Sequence, residues 1–257
     1  MQGAKVTADT TPGGWRGSVV TGPGLLEFSG WIGPAAAHAH AAVQVLLVSH
    51  GEVVLRDAAD AERQVVSAVV PAGVRHGMFA SGGGRGTITY LDPVSPIGRL
   101  ATERVLETGL DVDSVDAWLV DVDVKALRAA RSTAVVVHPA VTDALRLAPA
   151  LADGPMLLGE IASRVGLSAS RLGHLFAEQV GVPYPVWRRW LRLQLAFTAI
   201  QGGASLTAAA HAAGFADSAH LTRSCRAMFG ITPSDAARAT GGPTATGEDQ
   251  VSGYVQG

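Results

Sequence analysis

Two short stretches of this 257-residue chain carry the side chains best suited to gripping a nucleic acid. Ser170, Arg171, Gly173 and His174 fall on one side of a helical pattern whose other side is Leu172, Leu175, Phe176 and Val180. Further on, Ser218, His220, Thr222, Arg223 and Arg226 stand opposite Leu221, Cys225, Met228 and Phe229. Short polar groups near the start of a helix can exchange hydrogen bonds with base edges, and arginine adds a forked cation for guanine or phosphate. This is the chemistry of a helix whose N-terminal end enters a major groove.

The elements that must position these faces repeat. Each stretch follows a short helical pattern that ends at a glycine, Gly166 or Gly214, the residue that a left-handed turn needs. Ser168 is placed to cap the next helix in the first copy, and Asp217 or Ser218 in the second. Gly166 and Gly214 are 48 residues apart; after one inserted residue the offset is 49, pairing Leu172 with Leu221, Phe176 with Cys225 and Gly181 with Gly230. One glycine turn between two helices fits a plain helical bundle equally well. Two copies with matched polar faces favour a doubled helix-turn-helix. The spacing predicts an amphipathic connecting helix from about Pro185 to Ile200. At about 1.5 Å per residue it spans on the order of 22 Å, enough to hold two reading helices near one turn of DNA apart, about 34 Å.

Composition sets the wider frame. Hydrophobic residues make up 47% of the chain, enough for buried cores, and charged residues only 16%, against about 25% in an average soluble domain. The length fits two domains. The net charge of −2 argues against a chain that is basic throughout. Residues 1–149 hold 12 Lys+Arg against 15 Asp+Glu, whereas residues 150–240 hold 8 Arg against 5 Asp+Glu, so the C-terminal surplus is entirely arginine. A single cysteine, Cys225, excludes a disulfide within the chain, which by elimination reads as cytoplasmic. No apolar run approaches the roughly 20 residues of a membrane span, and Met1–Gly14 has neither the basic nor the apolar region of a secretory signal.

The N-terminal part has a β rhythm. Apolar runs at Val43–Val48, Val53–Leu55, Val65–Val70 and Thr87–Leu91 alternate with turn signals at Ser49-His50-Gly51, Pro71-Ala72-Gly73 and Ser81–Gly86, which suggests a small barrel or jelly roll. From Pro96 to Leu151, Leu100, Arg104–Leu106, Val115, Leu119, Val122 and Leu127 recur at helical spacing, with Asp113-Ser114 as a cap and a second set of helices from Pro139. The expected fold is α+β. Its expected parts are a disordered tail over 1–14, a β-barrel domain over 15–95, a helical linker or dimerisation segment over 96–150, a doubled helix-turn-helix over 151–240 and a disordered tail over 241–257.

Residues 151–240 resemble the DNA-binding domain of the AraC/XylS family of bacterial transcription regulators. The matching stretches are Ile161-Ala162, Val165-Gly166-Leu167-Ser168, Leu172 and Leu175-Phe176, then Gly181, Pro183, Trp187, Arg192-Leu193 and Ala196. The strongest is Ala209-Ala210, Gly214-Phe215, His220-Leu221, Arg223, Met228-Phe229-Gly230-Ile231 and Pro233. Cys225 stands where the family usually has phenylalanine, and the arginine after the Pro233 segment falls one place late, at Arg238. Carried over by position, the resemblance implies base contacts from Ser170, Gly173 and His174 in the first reading helix and from Ser218, His220, Thr222 and Arg223 in the second. Ser168 joins them at the helix start. Arg171, Arg188, Arg189 and Arg226 are placed for phosphates, which position without specifying. Arg192 reads as an internal brace.

The β-rich segment resembles the cupin fold. His38-Ala39-His40, Gln44 and Gly51 match its first short motif, and Pro71, Gly73 and His76 match its second. The resemblance implies that His38, His40, Gln44 and His76 converge inside the barrel, as an effector site or as ligands for a divalent metal such as zinc, nickel, iron or manganese. Histidines lining an organic effector pocket, or satisfying each other, fit the same residues. Trp31, Phe79 and Tyr90 lie near this site in sequence. His50 reads as a surface residue, and His138 as part of the linker.

Two functions follow. The first is a sequence-specific transcription regulator, not an enzyme, that answers a small-molecule or metal effector in the barrel. Its partners would be double-stranded DNA and the effector, with RNA polymerase as a further contact, a homodimer through residues 96–150, and no membrane. The second is a metal-dependent cupin oxygenase or isomerase with helical accessory structure.

Overall fold

The computed structural model describes residues 14–22, 24–80, 83–122, 137–148 and 157–239. The tails expected at 1–14 and 241–257 lie outside the described residues apart from Gly14, as do Leu127 and Leu151 of the linker.

The N-terminal half is a sandwich of two antiparallel sheets. One has the order β1-β2-β9-β4-β7 and the other β3-β8-β5-β6. The strands are β1 (Arg16–Gly22), β2 (Leu25–Ile32), β3 (Ala35–His38), β4 (Val43–Gly51), β5 (Val53–Arg56), β6 (Glu62–Val65), β7 (Ser67–Val70), β8 (His76–Phe79) and β9 (Gly84–Leu91). Alternation assigns the faces: Leu26, Phe28 and Ile32 of β2 are buried, and the residues between them less so. Leu26 pairs with Tyr90, and Tyr90 with Gln44, so these three share one face of the first sheet.

Three sequence boundaries are corrected. Val65–Val70 is not one strand. The chain turns out at Val66, which is 74% exposed, and passes from the edge of one sheet to the edge of the other. Ser49-His50-Gly51 does not end β4, which runs on to Gly51 through a register shift. β9 begins at Gly84, inside the expected Ser81–Gly86 turn.

Helix α1 (Pro96–Leu106) packs on β4 and β7, capped by Ser95, whose Oγ accepts the Gly98 N–H at 3.0 Å. The cap expected before Val115 forms at Ser114, but it starts only a single 3-10 turn, Val115–Trp118. Beyond it the chain is irregular to Val122 rather than helical. Asp57 anchors this turn to the sandwich by accepting the N–H of Val115 at 3.1 Å and those of Ala59 and Ala61 at 2.9 Å. Helix α2 (Pro139–Leu147) is capped by His138, and the His138 N–H donates to the Gln179 side chain at 2.8 Å.

The C-terminal half is helical throughout: α3 (Leu158–Arg164), α4 (Ala169–Val180), α5 (Tyr184–Gln201), α6 (Leu206–Ala212), α7 (Ser218–Phe229) and α8 (Pro233–Ala239). The repeat is geometric as well as sequential. Gly166 and Gly214 take φ of 70° and 72°. The Leu167 N–H reaches back to the Ala162 carbonyl at 2.9 Å, and the Phe215 N–H to the Ala210 carbonyl at 2.9 Å. Both turns therefore close with the same wrapped helix ending. Ser168 caps α4 and Asp217, rather than Ser218, caps α7. The connecting helix α5 has 18 residues and so spans about 27 Å. Its aromatic side chains serve both copies: Trp187 meets Phe176 at 5.4 Å, and Trp190 meets Phe229 at 5.8 Å.

The halves dock directly. Tyr90 of β9 meets Phe229 at 5.3 Å and Trp190 at 6.0 Å. The Ala36 N–H on the free edge of β3 donates to the Gly230 carbonyl at 3.3 Å. Gly181 and Gly230 are the left-handed caps of α4 and α7, with φ of 82° and 70°. A Cβ at Gly181 would meet nothing within 4 Å, but one at Gly230 would lie 2.4 Å from the Ala36 carbonyl oxygen. Gly181→Ala should therefore cost about 1 kcal/mol, from backbone strain alone. Gly230→Ala should cost roughly 2 kcal/mol more, because β3 must shift as well. Urea unfolding of the two variants measures this difference; equal losses would mean that the β3 contact carries no energy.

Candidate functional site

The faces expected to meet DNA lie largely open. Ser168, Ser170, Arg171, His174, Arg189, Arg223 and Arg226 are exposed, and Gly173, Arg188, Ser218, His220 and Thr222 are half-buried. Ser168 Oγ is engaged by the Arg171 N–H at 3.2 Å. A Cβ at Gly173 would sit 3.3 Å from Leu158, so this position faces the shoulder of α3. Arg192 is 8% exposed, as an internal brace would be.

The two histidines of these faces offer opposite polarity. His174 Nδ1 lies 2.8 Å from the Ser170 carbonyl. That nitrogen must carry the proton, so the outer Nε2 of the neutral ring accepts. His220 Nδ1 receives the Ala216 N–H at 3.5 Å, so its Nε2 carries the proton and donates. The His220 ring also stands edge-on to Phe215 at 5.2 Å, which ties it to the turn of its own copy.

The four residues expected to converge in the barrel do so. His38 ends β3 and pairs in register with His76 at the start of β8. His40 lies in the link to β4, and Gln44 is the second residue of β4. The three rings are 2%, 0% and 1% exposed, and one nitrogen from each lies within 4.8 Å of the others. Each Nδ1 points to a carbonyl: His38 to Ala36 at 2.7 Å, His40 to Ala42 at 2.6 Å and His76 to Val74 at 3.1 Å. The Nδ1–H donates in each case, leaving the inward Nε2 as an acceptor. Gln44 Oε1 sits 3.1 Å from His40 Nε2 and 3.3 Å from His76 Nε2.

The cluster therefore sets acceptor against acceptor. Turning the Gln44 amide over would supply N–H groups to His40 and His76. It would still leave His38 Nε2, which is buried without a partner. A divalent cation would satisfy all four groups at once, and Nδ1–H bonds to carbonyls are the usual outer support of metal-binding imidazoles. Burial drives all three rings towards the neutral form that a metal needs. His38 is lowered to about 3 and His40 to about 4, chiefly by desolvation, and His76 falls well below its usual value for the same reason, with its two neighbours adding to the effect.

Two further aromatics enclose the cluster. Tyr90 stands edge-on to His40 at 5.1 Å, and Trp118 to His76 at 6.0 Å. Trp118 carried no sequence signal, because it lies 42 positions from His76 in a segment read as linker helix. Of the aromatics expected nearby, only Tyr90 joins. Trp31 lines a surface hollow with His50 and Arg85, and Phe79 lies under the Arg56 guanidinium at 4.3 Å. His50 is exposed on β4, as expected for a surface residue.

Residues 161–239 match the family model described as a helix-turn-helix domain. No curated protein matches the chain. Among solved structures, ToxT from Vibrio cholerae has a TM-score of 0.54 at 8% identity, covering 84% of this chain and 99% of that one. ToxT has also been solved bound to (E)-4-(8-methylnaphthalen-1-yl)but-3-enoic acid (TM-score 0.54, 8% identity, 85% and 100% covered) and to an unsaturated fatty acid (TM-score 0.50, 9% identity, 82% and 94% covered). A transcriptional regulator from Chromobacterium violaceum, described as AraC-type, is 32% identical over 40% of this chain and 96% of that one, with a TM-score of 0.37. The C-terminal domain is an AraC-type helix-turn-helix domain, and the antiparallel β domain before it completes a ToxT-like fold. Among the described residues, no helix is long and apolar enough to cross a membrane.

The buried rings predict acid sensitivity of the metal-free protein. His38 and His40 titrate at about 3 and 4 when folded, against 6.5 when unfolded. The unfolded chain binds protons first, so stability falls as pH drops below about 6.5. Between pH 6.5 and 5 the loss should be about 2 kcal/mol for each ring. Urea midpoints of chelator-treated protein at the two pH values measure it; equal midpoints would mean the rings are not held neutral.

Proposed function

We propose that this chain, built on an AraC-type helix-turn-helix domain, is a transcription regulator that reads duplex DNA with two helices and responds to an effector in its β domain. The observation that carries the reading is the doubled turn. Gly166 and Gly214 share one backbone geometry, each precedes a capped helix, and each helix carries exposed polar side chains, Ser170, Arg171 and His174 on α4 and Arg223 and Arg226 on α7. Ser170 and His174 of α4 and Ser218, His220, Thr222 and Arg223 of α7 form the base-reading faces, with Ser168 at the first helix start; Gly173, without a side chain and turned towards α3, reads no base. Arg171, Arg188, Arg189 and Arg226 take phosphates. His174 presents an acceptor, suited to the amino groups of adenine or cytosine, and His220 a donor, suited to the acceptors of guanine or thymine.

For the effector, the convergent acceptors favour a divalent cation held by His38, His40, Gln44 and His76. A cation there would supply charge to draw four lone pairs together. An organic effector in the same domain is the second reading, supported by the ligands found in ToxT. The enzyme reading is disfavoured by burial, since a substrate could reach the three histidines only if the sandwich opened.

Both histidine motifs run directly into the reading domain. Ala36, whose carbonyl binds His38 Nδ1, donates its N–H to Gly230 at the end of α7. Gly73, whose N–H binds the His40 carbonyl at 2.8 Å, sits beside Val182 and Gly181 at the end of α4. An occupant that draws the rings together therefore pulls on the C-terminal caps of both reading helices. Coupling then needs two arrangements with different effector affinity. In a homodimer, the exposed Leu106 and Leu110 at the end of α1 and just beyond it would offer apolar contact.

Mobility shifts against the chain's own promoter region test the reading. Binding should be specific and should weaken steeply with salt. Arg223→Ala should cost roughly 1–3 kcal/mol at one base pair and relax preference there. No preference over random duplex, with and without effector, would overturn the DNA reading. Metal analysis of dialysed protein should find about one divalent ion per chain, lost in His38→Ala with His76→Ala. A metal-free protein that takes up none would leave the organic reading.

A further inference from the structure

The outer face of the first sheet carries a row of side chains that neither the reading helices nor the histidine cluster uses. Arg16 of β1 pairs with Trp31 of β2, Trp31 with Arg85 of β9, and Arg85 with His50 of β4. Directly paired residues share a face, so the four stand side by side over three strand spacings, roughly 14 Å. The register shift near the end of β4 inserts Ser49 before His50, and a bulge of this kind re-aims a side chain. Trp31, Ser49, His50 and Arg85 line an open hollow. Behind it, on the inner face, Gly17 pairs with Gly30 and Gly30 with Gly86. A Cβ would lie 2.1 Å from the Ser29 carbonyl oxygen at Gly17, 2.3 Å from that of Arg16 at Gly30 and 2.1 Å from that of Leu47 at Gly86. Glycine lets the backbone under the hollow draw together more closely than side chains would allow.

The row is rich in donors with no acceptor to match. Arg56, Arg63, Arg104, Arg146, Arg164 and Arg238 each hold an acidic partner. The exposed Arg16 and Arg85 side chains pair with no carboxylate among the described residues, which is also the condition of Arg171, Arg189, Arg223 and Arg226 on the faces expected to meet DNA. Glu27, the one acid of β2, lies four residues from Trp31 and accepts from Thr89 at 3.1 Å. The half-buried Trp31 indole packs on no ring or guanidinium among the described residues. Two arginines without an acid between them carry two positive charges. A phosphate monoester answers with about −1.5 to −2 at pH 7 and three acceptor oxygens, whereas a carboxylate brings a single charge. The indole beside them offers its face to a flat ring. We propose that this hollow binds a phosphate monoester carried on a planar ring, of the nucleoside monophosphate class. The ring stacks on Trp31, Arg85 grips the phosphate in forked geometry, His50 donates to it from β4, and Arg16 adds its charge from the far side of the indole. The site is separate from the histidine cluster and from both reading helices, and it stands independently of the DNA reading.

Titration calorimetry of the full chain with adenosine 5′-monophosphate tests this, with adenosine and inorganic phosphate as the two halves of the ligand. The monophosphate should bind saturably with a dissociation constant below about 1 mM, and should bind more tightly than either half by roughly tenfold or more. Trp31→Ala should weaken it by roughly fivefold or more, the loss of one stacked ring. Arg16→Gln with Arg85→Gln should reduce it to the affinity of adenosine. The two arginines are exposed, so this pair carries the test if Trp31→Ala does not fold. No saturable binding, adenosine or phosphate binding as tightly as the monophosphate, or an undiminished affinity in either folded variant would overturn the site. Benzoate bound as tightly as the monophosphate would overturn the ligand class. A mobility shift with the double arginine variant separates a free nucleotide from DNA. Duplex binding should be unchanged; a loss as steep as that of the monophosphate would make the row a contact to the DNA backbone and overturn the proposal.

Discussion

The first sheet is wider than its partner, and the apolar face left over has to be covered. Five strands face four, and Val19 of β1, Leu26 and Phe28 of β2 and Ile88 and Tyr90 of β9 lie against the helical domain. Phe28, Ile88 and Tyr90 cannot stay in water at the usual gain of roughly 25 cal/mol per Å² of apolar surface buried. The helical domain supplies the cover with Phe197, Phe229 and Ile231. The two halves are therefore parts of one buried core. Tyr90 sits at its centre, with His40 on one side and Phe229 on the other.

This shared core gives the two reading helices unequal supports. The second, α7, is sewn to the edge of β3 through the Ala36–Gly230 hydrogen bond. The first, α4, is braced by the linker, where the backbone of His138 binds the Gln179 side chain, and just past its end Gly181 and Val182 lie beside the Gly73 turn of the β domain. One helix is thus tied to the sandwich through a hydrogen-bonded strand and the other through a packed turn. These two dissimilar contacts are joined across the 18 residues of α5.

Much of this was legible in the sequence, for identifiable reasons. The doubled turn was readable because glycine at a left-handed position has few substitutes, and because Gly166, Gly181, Gly214 and Gly230 keep nearly constant offsets. The histidine set was readable from its short motifs. What the sequence hid depends on spatial neighbours. The Val65–Val70 run looks continuous because residues on both sides of Val66 are buried, though in different sheets. The wrapped turn that brings Trp118 over His76 shows helical spacing over too few residues to separate one turn from a helix. Trp31 and Phe79 were near the site in sequence, but they point away from it: alternation along β2 puts Trp31 on the outer face, and Phe79 packs under Arg56. The seam between the two halves could not be read at all, because its residues come from both ends of the chain.

The enclosure of the three imidazoles also governs timing. With Trp118 and Tyr90 against the rings and almost no ring surface in contact with solvent, nothing can arrive or leave faster than the sandwich breathes. Exchange at such a centre is limited by the protein's own opening rate rather than by diffusion. Any ligand enclosed there as the chain folds would leave only at that opening rate, however dilute its surroundings become.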